Sequence, residues 1–440
     1  MKIRFYILLA FCSISVLTAC RDTTAIYQNK LNNGMTLILN QKSETEIVSV
    51  ILLVRAGAIL DTEETQGLAK EVQTCLFHET DSNEDVQLTI NSLAAKYFTG
   101  LHPDFVYFGI TASSNYLPNI FSIVKDVVFY SSFSDSLVLA KKYQLQQELE
   151  QANNNPRKKM AMMFREALFT DHPYRFSGLG SGKTISAITT GDVQHFHERY
   201  YIPSNMTVIV TGHFDHNSVR RSLEGMLDVG DDVRPPVKTW KPQWRQNEIH
   251  SSVATHHYGP DIAFVSLGWN APCIQNKDTY VMDILLGCIG IGESSRLNVQ
   301  VRDKIPGVYY TWAEYTTTRE PGYFVMNAIC HPDRVQEVKN AFLKEIAIIQ
   351  TDSVTPKELA RTKQYFKSLE AYQNEDVINA SFSIGYWAAL SDYSFSQSYL
   401  SKLNEVTLDD LKKASKQYFN LNAYTWCALV PGTKEKGQPQ

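Results

Sequence analysis

The chain has 440 residues, of which 44% are hydrophobic and 20% charged, and its net charge is −4. That length can bury two or three sizeable cores, and the composition is that of a globular protein rather than a disordered one. A negative balance without any Lys/Arg run argues against nucleic acid as a partner, because phosphate backbones reward a basic face.

The first twenty residues, MKIRFYILLAFCSISVLTAC, stand apart. Lys2 and Arg4 precede an apolar run from Phe5 to Phe11 that weakens toward Leu17. These are the charged and apolar regions of a secretory signal, too short for a membrane span. The ending Leu17-Thr18-Ala19-Cys20 has the form of a bacterial lipobox, so residues 1–19 are expected to be removed and Cys20 lipidated. A plain signal peptide that ends near a cysteine is the alternative. Removal takes away two positive charges and lowers −4 to −6. A lipoprotein carries more than one acyl chain, which gives stable membrane attachment. The expected location is the bacterial cell envelope, lipid-anchored on the periplasmic side or the outer surface. The cysteines beyond Cys20 are Cys75, Cys273, Cys288, Cys330 and Cys427, an odd number with no C-x-x-C pair. They imply neither a disulfide framework nor a cysteine metal site.

In chain order, IYQNKL and MTLIL flank Asn-Asn-Gly, a hairpin signal, and EIVSVILLVRAG follows as a buried strand. GLAKEVQTCLFHE and DVQLTINSLAAKYF read as helices, and FVYFGITAS returns to strand. Helices dominate to about Leu168 and end in the loop DHPYRFSGLGSGKT; another helix then precedes the strand MTVIVTGHF. DVGDDVRPPVKTW has no periodicity and reads as a linker. The second half repeats the grammar with AFVSLGWNAP, helices, the paired strands VYYTWAEYTT and GYFVMNAIC, more helices, and a closing YTWCALV. Ile188–Tyr200 and Val406–Tyr418 have equal length, and each leads through an asparagine, Asn205 or Asn422, into a final strand. Two matched αβ domains are the natural reading, although a generic helix-to-strand exit could mimic the match. The boundaries expected are 20–227 for the first domain, 228–244 for the linker and 245–435 for the second domain.

The frame RAGAILDTEETQGLAKEVQTCLFHET resembles the inverted-zinc-motif metallopeptidases of the insulinase/pitrilysin and mitochondrial processing peptidase family. Further matches follow in order: HPYRFSGLGS, YYIPSNMTVIVTGHF, SSRLNVQVRDKIPGVYYTWAEY and EPGYF. They span roughly residues 30–430. The resemblance implies an α+β fold of two homologous metallopeptidase-like domains, each a mainly antiparallel sheet packed with helices, facing each other as a clamp.

The family's chemistry rests on an H-x-x-E-H helix. Two imidazoles four residues apart share a face and bind Zn²⁺, and the glutamate between them takes the proton of the attacking water. Lys70, Gln73 and Thr74 hold these positions here. Lys70 brings a cation where another cation must sit, Gln73 cannot accept a proton at neutral pH, and Thr74 is not a usual zinc ligand. The family's third ligand corresponds to Glu148, eight residues before Pro156, and its auxiliary glutamate to Lys141. Glu148 is therefore expected in a salt bridge with Lys70. Nor do His78 and Glu79 offer a displaced site, because adjacent residues point to different sides of a helix; His172 lies in a loop without a visible partner. No catalytic residue, no metal ligand and no cofactor is assigned.

The family also binds its peptide along an edge strand preceded by Asn-Ala, which becomes Phe98-Thr99 here. Its second domain carries an arginine and a tyrosine seven apart that hold the substrate backbone, and these match Arg302 and Tyr309. A guanidinium and a phenol suit peptide carbonyls and a developing oxyanion; a surface arginine with a core tyrosine is the plainer reading, and Gly307 lies one position late. SGLGSGKT lacks the first glycine of a phosphate loop, and GCIGIGESSRL follows a predicted helix rather than a strand, so both are expected to be turns. The function implied is a catalytically inactive subunit that pairs with a zinc-bearing subunit as a heterodimer and helps to bind peptide. The alternative is a peptide-binding or scaffold lipoprotein without a peptidase partner.

Overall fold

The structure is a computed structural model that describes residues 26–42, 45–81, 85–228, 249–257, 259 and 261–432. The expected signal, Cys20 and nearly all of the expected linker lie outside the described residues. Two sheets organise the rest. The first runs β1 (Tyr27–Lys30), β2 (Thr36–Gln41), β3 (Ile47–Val54), β4 (Lys96–Leu101), β5 (Val106–Ser113) and β6 (Met206–Gly212), in the spatial order β1-β2-β6-β3-β5-β4. The second contains β7 (His250–His256), β8 (Ala263–Asn270), β9 (Val308–Thr316), β10 (Tyr323–Cys330) and β11 (Thr425–Pro431), in the order β7-β11-β8-β10-β9. Without β1, the two orders superpose strand for strand. In both sheets the outer pair is parallel (β2 with β6, β7 with β11) and the remaining pairs are antiparallel. The chain is thus a duplicated α+β unit.

The helices repeat as well. Asp135–Asn154 and Pro356–Glu375 each have 20 residues. Each ends at a residue, Asn155 or Asp376, whose side chain caps the next helix, Pro156–Leu168 or Val377–Leu390. In each first helix a lysine reaches two carbonyls ahead of the matched helix. Lys142 Nζ donates to Ser186 O and Ile188 O at 2.9 and 2.6 Å, and Lys363 Nζ donates to Asn404 O and Val406 O at 2.7 Å each. The matched helices Thr190–Tyr200 and Leu408–Tyr418 open on the same capping box, Thr189 with Asp192 and Thr407 with Asp410. Reciprocal bonds of this kind satisfy two of the amide donors a helix start leaves unpaired.

The halves interlock. One face of each sheet packs on its own helices, forming the two largest cores. The other face is covered by a helix from the opposite half: Pro156–Leu168 crosses β7, β8 and β11, and Val377–Leu390 crosses β3 and β6. Phe164 and Ile384 are central to the two smaller cores so made. Arg157, at the start of the first crossing helix, lies 5.0 Å from the ring centres of both Tyr310 and Trp312 on β9.

Two elements differ from the sequence expectation. DVQLTINSLAAKYF is a helix only over Val86–Ser92; Ala94 adopts a left-handed φ of 50° and the chain enters β4. The left-handed turn breaks the helix because its hydrogen bonding cannot continue through it. β7 has little sequence signal, since HSSVATH carries one β-branched aliphatic residue, Val253, and that residue is exposed. The five described cysteines are free, four of them buried. Among the described residues, no helix is long and apolar enough to cross a membrane.

Candidate functional site

The helix Leu68–Cys75 carries the positions where the zinc motif would stand. Its start is built with care. Gly67 takes φ 92°, and a side chain there would press on the backbone of Leu179 and Gly180, so the glycine-rich loop buttresses the helix rather than cradling phosphate. Asp61 accepts from the amides of Gly67 and Ala69 at 2.9 and 3.1 Å. Burial nevertheless pushes its carboxyl up to about 7, the two amide bonds opposing the shift. Sequence reasoning missed Asp61; an aspartate six residues ahead of Gly67 is the only signal that points to it.

Lys70, Gln73 and Thr74 are all engaged inside the protein. Lys70 Nζ lies 3.5 Å from Glu148 Oε2, the pairing expected from the sequence. The lysine side chain is 15% exposed and the glutamate 39%, so the pair is shielded only on one side. Gln73 is buried and donates through Nε2 to Thr99 Oγ1 at 2.6 Å, while Thr99 Oγ1 donates to Tyr107 O at 2.8 Å. The helix is thereby tied to β4, the edge strand that holds Phe98 and Thr99. Thr74 Oγ1 returns to its own helix at Glu71 O, 2.9 Å away.

These donors do not fit zinc. An ammonium has no lone pair, and it sits where it would repel the ion. Gln73 Oε1 is buried without a hydrogen-bond partner among the described residues, but one carboxamide oxygen and one carboxylate are not a zinc ligand set. Among the described residues no group of three or more His, Cys, Asp or Glu is arranged to hold a metal ion. His172 packs at a tilt against Tyr174, with ring centres 4.4 Å apart, and burial lowers it to about 4. Glu79 accepts from the Ser134 amide and hydroxyl at the start of the helix Asp135–Asn154.

In the second half, Arg302 ends a short π-helical turn, Leu297–Arg302, that packs on β9, where Tyr309 stands. Arg302 Nη1 contacts Glu293 Oε2 at 2.9 Å, and Nε contacts Asp303 Oδ1 at 2.8 Å. Tyr309 is half-exposed, and its hydroxyl lies 3.4 Å from Asp261 O, a weak bond. Neighbouring elements carry the two side chains, but no hydrogen bond joins them. Both are accessible enough to exchange their present partners for a ligand.

The other motifs meet elsewhere, at a node between the halves. Gly57 lies so close to the backbone of residues 103–105 that a Cβ would stand 2.3 Å from Pro103 O. Asp104 accepts from the Tyr174 hydroxyl at 2.5 Å and from the Arg319 amide at 3.1 Å, and the Glu320 amide donates to the same tyrosine oxygen at 3.3 Å. Arg-Ala-Gly, His-Pro-Tyr-Arg-Phe and Glu-Pro-Gly-Tyr-Phe are therefore framework motifs. They hold the two halves together.

Comparison with known proteins agrees with this geometry. A family model described as insulinase (peptidase family M16) matches residues 36–180, and one described as the peptidase M16 inactive domain matches residues 187–366. The second description applies to its own segment and says nothing of the helix at 68–75. A relative named an uncharacterized zinc protease, from Rickettsia felis, is 23% identical over 409 residues, covering 89% of this chain and 94% of its own. Another of the same description, from Mycobacterium leprae, is 23% identical and covers 95% and 94%. Among solved structures, a protease from Helicobacter pylori superposes with a TM-score of 0.87 at 18% identity, covering 93% of this chain and all of its own. A peptidase M16 inactive domain from Pseudomonas fluorescens gives 0.81 at 18% identity, covering 94% and 100%. Two adjoining models of one family cover most of the described residues, and the shared fold runs nearly end to end: the chain belongs to the insulinase family, peptidase family M16.

Proposed function

We propose that this chain is a catalytically inactive subunit of an insulinase-family zinc peptidase. It pairs with a zinc-bearing subunit and helps to hold the peptide. The observation that carries the reading is the Lys70–Glu148 pair, which puts an ammonium beside the one zinc-ligand position that keeps its carboxylate. Gln73 adds that the position of the water-activating base holds a carboxamide already bonded to β4. What remains usable is in the second half, where Arg302 and Tyr309 present a guanidinium and a phenol from accessible positions. Their role is to bind peptide carbonyls for a partner that cuts. Lipidation at Cys20 would tether the pair in the bacterial cell envelope.

The test is reconstitution. Purified alone, the chain cleaves no peptide; mixed with a zinc-bearing subunit captured from the same envelope, it supports cleavage. Arg302→Ala lowers the activity of the mixture without changing the zinc content of the partner. Full activity with Arg302→Ala would contradict the role given to the pair. A chain that captures peptide but raises no partner's activity would support the second reading, a peptide-binding lipoprotein.

A further inference from the structure

A cavity lies away from the helix Leu68–Cys75. It has a volume of about 570 Å³ and lies between residues of the β1–β2 end of the first sheet and helices of the second half. That volume falls within the range of ligand sites, ~300–1,000 Å³, and junctions between domains are their common location.

Its walls place polar groups that open onto the cavity beside aromatic rings. Asn40, on β2, is only 5% exposed, and its carboxamide makes no hydrogen bond among the described residues. Trp387 packs at a tilt against Phe395 and Tyr399, with ring centres 4.9 and 5.3 Å away, and lines the cavity. Glu370 lines the same space with neither a salt bridge nor a hydrogen bond to a described residue, and burial raises its carboxyl. Lys42, at the rim, donates to the Asn374 carbonyl.

The duplication gives this place a meaning. Asp135–Asn154 and Pro356–Glu375 correspond residue for residue at an offset of 221, which also relates Lys142 to Lys363 and Asn155 to Asp376. Glu148 then corresponds to Leu369, and Leu149 to Glu370. The order Glu-Leu in the first half is thus Leu-Glu in the second, and the carboxylate stands one position later. Both Leu369 and Glu370 line the cavity. The second half therefore opens a cavity at the helix turn that carries the former zinc carboxylate in the first.

We propose that this cavity binds an organic cation, an amine or guanidinium borne on an apolar body, with Glu370 receiving the charge, Trp387 the apolar surface and Asn40 a remaining polar group. An arginine or lysine side chain of a peptide and a small free amine share this chemistry. A cation over an indole face gains from the ring quadrupole, and pairing removes the cost of a half-buried carboxylate without a partner. The site shares no residue with Lys70, Gln73, Glu148, Arg302 or Tyr309, so it stands or falls apart from the proposed subunit role.

Benzamidine and its neutral analogue benzamide, equal in shape, are the probes, titrated into the full chain by calorimetry. Benzamidine is expected to bind at least ~10-fold more tightly than benzamide, a factor that corresponds to about 1.4 kcal/mol. Glu370→Gln should remove that preference, and Ser383→Phe, which fills the cavity from its wall, should abolish binding of both. Acetyl-Phe-Arg-amide identifies the source: competition with benzamidine marks the site as one for peptide side chains, and its exclusion marks one for free amines. Equal affinity for benzamidine and benzamide, or unchanged benzamidine binding in folded Glu370→Gln and Ser383→Phe, would overturn the proposal.

Discussion

The helices Asp135–Asn154 and Pro356–Glu375 are the clearest comparison within the molecule. They agree in length, in the capping residue that follows and in the lysine that bonds two carbonyls near the matched helix. They differ where chemistry would be done: Glu148 in the first meets Lys70, while Leu369 and Glu370 in the second face a cavity. The devices shared by the halves all satisfy backbone groups. Fold is held by main-chain bonds that both halves need, whereas the side chains of the site answer to function alone and are free to diverge.

That comparison can be broken most severely through the exchanged helices. Phe164 is buried against the opposite sheet, and its replacement by alanine should cost about 3–5 kcal/mol. Because each half covers the other's sheet, the loss should appear as one cooperative urea transition shifted for both halves. Two separate transitions, with only one displaced, would show that the halves are not coupled.

A pH series sharpens the comparison next. Burial pushes Asp61 in the first half and Asp283 in the second each up to about 7, the latter opposed by a hydrogen bond from Tyr399. A carboxyl whose folded value lies above its unfolded value of 3.8 binds its proton more tightly when folded. Its contribution is full below the unfolded value and is lost as pH rises through about 7. These two carboxyls therefore push the urea midpoint up as pH is lowered from 7 toward about 5, against the opposite push of His102, His172 and His197, whose imidazoles burial lowers. Asp61→Asn and Asp283→Asn should each remove part of the upward push, so that each variant loses stability relative to the native chain as pH falls. A difference from the native chain that does not vary with pH would remove these groups as its cause.

The matched caps offer the smallest and most symmetrical test. Thr189→Ala and Thr407→Ala each delete one side of an equivalent capping box and should each cost about 1 kcal/mol by urea unfolding. Values that differ widely would mean the two helix starts are not energetically equivalent, despite their common geometry.

Much of this is legible in the residues because the signals are local. Asn-Asn-Gly between two apolar runs marks the β1–β2 hairpin, and the equal segments 188–200 and 406–418 share their caps. Lys70 and Glu148 can be paired from the sequence because opposite charges stand where two zinc ligands belong. What escapes depends on distant partners. β4 reads as helix because Ala94 and Ala95 favour helix, while the strand is determined by pairing with β5. The bond between Gln73 and Thr99 joins residues 26 apart, and no spacing rule announces it. The exchange of Pro156–Leu168 and Val377–Leu390 is invisible for the same reason, since an apolar helix face does not say which sheet it will cover.

At the helix Leu68–Cys75 the Lys70 ammonium stands beside Glu148, where the family's motif would hold a metal. Metal analysis of the purified chain against the triple variant Lys70→His, Gln73→Glu, Thr74→His tests this exchange of metal for ammonium most directly, because Glu148 already stands beside position 70. No stoichiometric zinc is expected in the native chain and about one equivalent in the variant, which has the set of two imidazoles and a carboxylate that catalytic zinc sites use. One equivalent of zinc held by the native chain, and released on Glu148→Gln, would contradict it.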